Sequence, residues 1–178
     1  MKKIKNILVA SILTLSAFTA TIMTSCNPDA CKDVICSNGG TCNDGSCSCP
    51  SGYEGPSCET LSSTKFLNSS SANSTWLTGA NADGCYAAGY TMTISQSGTP
   101  KNLLIGNFAG FGSTASITVS VSGTKFTQVG TTTAGAVTIS NVSGTIDTTL
   151  NPDKITFGYT AASTGIPAIN CSSSALKQ

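Results

Sequence analysis

Histidine and arginine are both missing from the 178 residues, only 10% of which are charged, and a single tryptophan stands among few aromatics. Each absence excludes something. Without histidine there is no Ser-His-Asp or Cys-His constellation and no ordinary transition-metal centre. Without arginine the planar fork that binds phosphate bidentately is lacking, and no basic patch offsets it, so nucleic acid is not an expected partner. A helical apolar period is also missing from the C-terminal two thirds. Carboxylates are the remaining catalytic resource. The β-rich region offers Asp83, Asp147 and Asp153, a set from which a two-carboxylate glycosidase could be built. Each stands in a turn-like setting where a solvated Asp bonding nearby backbone is the commoner role. The expectation is therefore no catalytic residue, no metal ligand and no cofactor.

What the chain does have is cysteine, nine of them. Six fall between Cys31 and Cys58, with gaps of four, five, four, one and eight residues. So short a run has too little core to bury six thiols and needs cross-links to fold. A zinc site is the rival reading, but structural zinc favours paired Cys-x2-Cys units or histidine. Six cysteines allow fifteen pairings, and spacing alone does not choose among them. Gly39-Gly40, Asp44-Gly45 and Ser51-Gly52 supply turns between pieces short enough for hairpins.

The gaps, together with Cys47-Ser48-Cys49, Gly52-Tyr53 and Gly55 three residues before Cys58, resemble an EGF-like domain. The resemblance implies the pairs Cys31–Cys42, Cys36–Cys47 and Cys49–Cys58; from the residues themselves Tyr53 is expected to be the small apolar plug. Some EGF-like modules bind calcium through acidic residues before the first cysteine. Here Asn27 and Asp29 precede Cys31, but Ala30 stands where Glu or Gln is wanted, and two residues fall short of the six or more oxygens calcium takes.

Residues 1–25 read as an export signal: Lys2, Lys3 and Lys5 lead a mostly apolar run from Ile7 to Met23. The run ends Met23-Thr24-Ser25-Cys26, which resembles the lipobox of bacterial lipoproteins. That resemblance implies that Cys26 becomes an acylated N-terminus, with Met23 departing from the usual Leu. Cysteine arithmetic agrees. Six cysteines belong to the EGF-like run, Cys85 and Cys171 make a further pair, and Cys26 is left over. Removing the signal leaves six lysines against eight acids, a side-chain charge of −2. Residues 26–30 are then a lipidated tether and 31–58 the EGF-like module.

Residues 59–81 turn to Ser, Thr and Asn and read as a linker running into a first edge strand. Phe66 and Trp76 within it are expected to cover the end of the next core. Residues 82–178 are expected to form an antiparallel β-domain. Tyr90, Met92 and Ile94, then Ile117, Val119 and Val121, then Ile155, Phe157 and Tyr159 alternate with polar residues. Less regular candidates run over 103–108, 125–129, 136–139, 142–146 and 168–172, between turns at Ser97-Gly98, Gly110-Phe111-Gly112, Ser122-Gly123, Gly130 and Asn151-Pro152-Asp153. The fold class is all-β: a disulfide-rich module, then a sandwich or barrel of about eight strands. A Cys85–Cys171 bond would close an 87-residue loop in this domain, worth about 4 to 5 kcal/mol in the chain-entropy account.

The whole plan, with Leu104-Ile-Gly-Asn-Phe-Ala-Gly-Phe-Gly112 before an alternating strand, resembles surface lipoproteins of Bacteroides-type bacteria. The implied address is the bacterial outer membrane, on its periplasmic or cell-surface side, with membrane contact through the lipid. The same resemblance makes Asp147-Thr148-Thr149 a short O-glycosylation acceptor, at Thr148. Two function classes follow. One is a binding, adhesion or structural module that presents loops to a glycan or protein. The other is a carrier of a small apolar ligand, which Ser74-Thr75-Trp76 and Gly79 suggest by analogy with lipocalin-like starts. A cavity inside a barrel would favour the carrier, a filled core the binding module.

Overall fold

A computed structural model describes residues 30–69 and 71–178. The expected export signal, the lipidation site Cys26 and the pair Asn27 and Asp29 lie outside the described residues. Among the described residues no helix is long and apolar enough to cross a membrane.

The EGF-like part is two hairpins and three disulfides. β1 (Thr41–Asn43) and β2 (Ser46–Ser48) pair antiparallel around Asp44-Gly45, both at positive φ. β3 (Tyr53–Glu54) pairs with β4 (Thr60–Leu61). Disulfides join Cys31 to Cys42, Cys36 to Cys47 and Cys49 to Cys58, the partners the EGF-like resemblance implies. Cys58 is fully buried, while Tyr53 is half-buried and takes its place in a strand.

A 3₁₀ turn, Ser62–Phe66, leads into β5 (Asn73–Thr78). There follow β6 (Tyr90–Gln96), β7 (Asn102–Gly106), β8 (Ile117–Ser122), β9 (Lys125–Gln128), β10 (Thr132–Ala134), β11 (Val137–Asp147), β12 (Lys154–Ser163) and β13 (Ile166–Lys177). From β5 to β9 and from β10 to β13 each strand pairs antiparallel with the next, β9 skips β10 to pair with β11, and β13 returns to β5. The sheet therefore closes into an eight-stranded barrel, with β10 as a short flap on β11. Closure removes most of the free edge that an open sandwich would leave, although β13 meets β5 at only two register pairs.

The segment expected as linker and first edge strand does hold the first strand, β5, but that strand is paired on both sides, and the stretch before it is packed. Phe66 is 1% exposed and Trp76 0%. Phe66 meets Phe126 edge-on at 5.7 Å, so the 3₁₀ turn plugs one end of the barrel. Trp76 donates its ring N–H to Ser74 Oγ at 2.7 Å, and Ser74 donates in turn to the Phe66 carbonyl. The barrel begins at Asn73, ahead of the expected boundary at 82.

Two candidates, 136–139 and 142–146, are one strand. β11 carries a bulge between Ser140 and Ser143, with Asn141 at φ 56°. The bulge marks a change of neighbour: β11 pairs with β10 before it and β9 after it. The Gln128 side chain bridges the gap, donating to Ile139 O and accepting from Val142 N, both at 3.2 Å. Beyond the bulge, Gly144 faces Phe126, and an added Cβ would lie 2.6 Å from Thr156 O. Only glycine lets the ring lie against the strand there.

Inward residues fill the axis. Trp76, Met92, Ile94, Leu103, Ile105, Ile117, Val119, Val121, Ile139 and Ile155 are all essentially inaccessible, as dense packing of a small barrel requires.

Candidate functional site at the far rim of the barrel

Strand polarity divides the loops into two sets. Turns 97–101, 123–124 and 148–153 share the end that carries the 3₁₀ turn and the EGF-like module. Loops 79–89, 107–116, 129–136 and the tight turn 164–165 share the other.

The first end is taken up by the module. Ser62 N–H donates to Gly52 O at 3.0 Å, Ser63 Oγ donates to Pro100 O at 3.0 Å, and Lys65 pairs with Glu54. A Cβ at Gly52 would sit 2.5 Å from Lys101 Cβ. The module is thus seated on this end through close contact of Gly52 with Lys101 and through the bonds and ion pair that join it to the 3₁₀ turn.

The far rim is built differently. Asp83 is 4% exposed. It accepts from Tyr90 OH at 2.7 Å, from Tyr159 OH at 3.0 and 3.1 Å, and from Cys85 N–H at 2.8 Å. Burial first, and for Tyr159 the Asp83 charge next, push both phenols well above their ordinary range. The Cys85–Cys171 disulfide and a Gly84 N–H to Ser172 O bond of 2.8 Å fasten loop 79–89 to β13. In loop 107–116, Asn107 and Ala109 both have positive φ. The Asn107 side chain donates to Thr91 O and accepts from Gly112 N–H, each at 2.8 Å. That turn drives Phe108 into the barrel mouth, 5.3 Å from the rings of both Phe157 and Tyr159.

At the same end lies an apolar pocket of about 230 Å³, walled by Phe111, Val137, Ala161, Ile166, Pro167 and Ile169. Ile166 and Ile169 are exposed, as is Tyr86 nearby in sequence to Cys85. Of the residues that wall this pocket only Cys85, as a disulfide partner, was singled out by sequence. The available signal was the uncharged stretch Thr164-Gly-Ile-Pro-Ala-Ile169, where alternation stops and a proline stands at the start of a strand.

The other candidates are dispersed. Asp83 lies at the far rim, while Asp147 and Asp153 lie at the module's end. Asp147 accepts from the N–H and hydroxyl of Thr149 at 2.9 and 2.6 Å, and these bonds hold its carboxyl below the usual range. Asp153 pairs with Lys177 at 3.2 Å. Asp83 is no solvated turn residue, in contrast to the expectation, since two tyrosines and a loop converge on it. Thr148 is exposed directly after β11. Cys85 and Cys171 are bonded to each other.

Among known proteins, no curated sequence and no solved structure matches the chain. The EGF-like domain family matches residues 26–58, and that segment, with its disulfide-bonded hairpins, is an EGF-like domain.

Proposed function

We propose that this chain is a non-catalytic binding module of the bacterial outer membrane, lipid-anchored through Cys26, whose far rim receives an apolar group of a protein partner. One observation carries the reading: an apolar pocket at the end of a filled barrel away from the EGF-like module. With the lipid at Cys26 and the module seated on the first end, the far rim is the surface turned from the membrane. Its pocket is small. At about 230 Å³ it falls below the roughly 300–1,000 Å³ usual for a whole small-molecule ligand. That volume suits one apolar side chain, and the filled axis beneath it offers a carried ligand no room. The carrier reading is therefore set aside in favour of binding.

A protein and glycan array probed with the purified chain and its Phe111→Asp variant tests this. Binding to protein features that Phe111→Asp removes is expected. Signal confined to glycans, or protein binding unchanged in the variant, would sink the reading.

A further inference from the structure

Burial falls off across one row of cross-strand neighbours at the rim. Ile139, Ala161 and Ile169 lie opposite one another on β11, β12 and β13, and their exposures are 0%, 8% and 51%. The next row, Val137, Ser163 and Ile166, ends in an isoleucine that is 64% exposed. Both rows run toward β13 and stop there, because nothing continues the sheet. β5 takes up β13 at Leu176 and Lys177, and Gly84 takes the carbonyl of Ser172. Among the described residues no further main-chain partner meets that edge between Ile166 and Cys171.

Ser172 turns its carbonyl away from β12 toward Gly84. Two residues earlier in an antiparallel strand the backbone turns the same way, so Asn170 presents its N–H and C=O outward. Ile166–Asn170 is thus a protruding strand edge with bare main-chain groups and two exposed isoleucines beside an apolar pocket. Natural proteins guard such an edge with charge, with proline or with a bulge, and of these the edge has Pro167 and a register shift opposite Ala161–Ser163. Here no charged residue occurs anywhere from Ala161 to Asn170. Pro167 removes one donor and restricts pairing to the side of Ala168 and Asn170.

We propose that this edge pairs with the same edge of a second copy of the chain. An antiparallel strand is complementary to itself about a twofold axis, and with Pro167 limiting the register that axis falls near Ile169. The two sheets then join, each copy's Ile166 and Ile169 is covered by the other, and the apolar rows are continued. The absence of charge means that two identical surfaces meet without like-charge repulsion. This proposal rests on the reading of the rim as a contact surface and names its occupant.

The full chain carrying Ala168→Cys is treated with a short bismaleimide, beside Thr124→Cys in an exposed turn at the module's end. A species of twice the chain's mass is expected for Ala168→Cys and not for Thr124→Cys, and it is expected to vanish when Ile169→Lys is added. Trp76 fluorescence of the Ile169→Lys variant shows that the barrel has folded. Absence of the doubled species, equal yield at position 124, or doubling that survives Ile169→Lys overturns self-pairing. An adduct of another mass assigns the edge to a different polypeptide, which also overturns self-pairing but leaves the binding function standing. Array binding that Phe111→Asp does not alter, with the doubled species still formed, removes the array-based reading alone.

Discussion

At Asp83 a single buried carboxylate holds together a loop and two strands, through Tyr90, Tyr159 and the Cys85 N–H. Removing it strands hydroxyls that the core has desolvated. Asp83→Ala is therefore expected to lower unfolding free energy by about 1–3 kcal/mol, the cost of unsatisfied buried donors. Asp83→Asn keeps one acceptor and the shape, and should cost less. Urea titration followed by the emission of Trp76, the only tryptophan, reads both; equal midpoints for Asp83→Ala and wild type would refute the role. The phenols add a pH signature. Their folded pKa values are raised above the ordinary 10.0. Below pH 10 both states keep the phenolic protons and the full stability is present. Above it the unfolded chain loses them first, so stability falls as pH rises, by up to about 1.4 kcal/mol per pH unit for each tyrosine. Tyr159→Phe should flatten that alkaline slope.

Among the elements, the join between β5 and β13 is the weak one, with register pairs only at Leu176–Leu77 and Lys177–Trp76. Loop 79–89 adds the Gly84–Ser172 bond and the Cys85–Cys171 disulfide, leaving the edge from Ile166 to Asn170 unpaired among the described residues. The double variant Cys85→Ser, Cys171→Ser is expected to cost about 4 kcal/mol, from the entropy of an 87-residue loop. Breaking the partly buried Lys177–Asp153 pair nearby should cost about 1 kcal/mol. A comparable loss from both, measured by denaturant unfolding, would remove the disulfide's special place. How far elements could be read from sequence depended on which forces shaped them. β6, β8 and β12 alternate because one face of each meets the core, so their inward residues are legible. β11 was split in reading because its bulge at Asn141 answers to the change from β10 to β9, a nonlocal event. Phe66 was read as a cover and does plug one end, whereas Trp76 lies inside a strand of the barrel, since sequence does not show that the sheet closes over it. Asp83 looked like any turn aspartate because its partners, Tyr90 and Tyr159, come from strands far apart along the chain.

For the molecule as a whole, orientation is the quantity that gives the rim its meaning, and it depends on where the chain is anchored. Two or three acyl chains at Cys26 would bury enough methylenes, at roughly 0.8 kcal/mol each, for stable attachment. The EGF-like module, seated on the barrel by Ser62, Ser63 and the Lys65–Glu54 pair, would then lie between lipid and barrel, with the far rim pointing outward. Thr148 would sit on the membrane-facing end, exposed after β11, where a glycan leaves the rim clear. Intact-mass measurement of the natively expressed protein reads both modifications at once. Wild type should begin at Cys26 with the mass of acyl chains plus a glycan. Cys26→Ala should lose the acyl mass and its detergent requirement, and Thr148→Ala should lose only the glycan. Acyl mass persisting in Cys26→Ala would detach the lipid from that residue, and with it the argument that turns the rim away from the membrane. Glycan mass unchanged in Thr148→Ala, or absent from wild type, would remove the acceptor while leaving the anchor and the orientation in place.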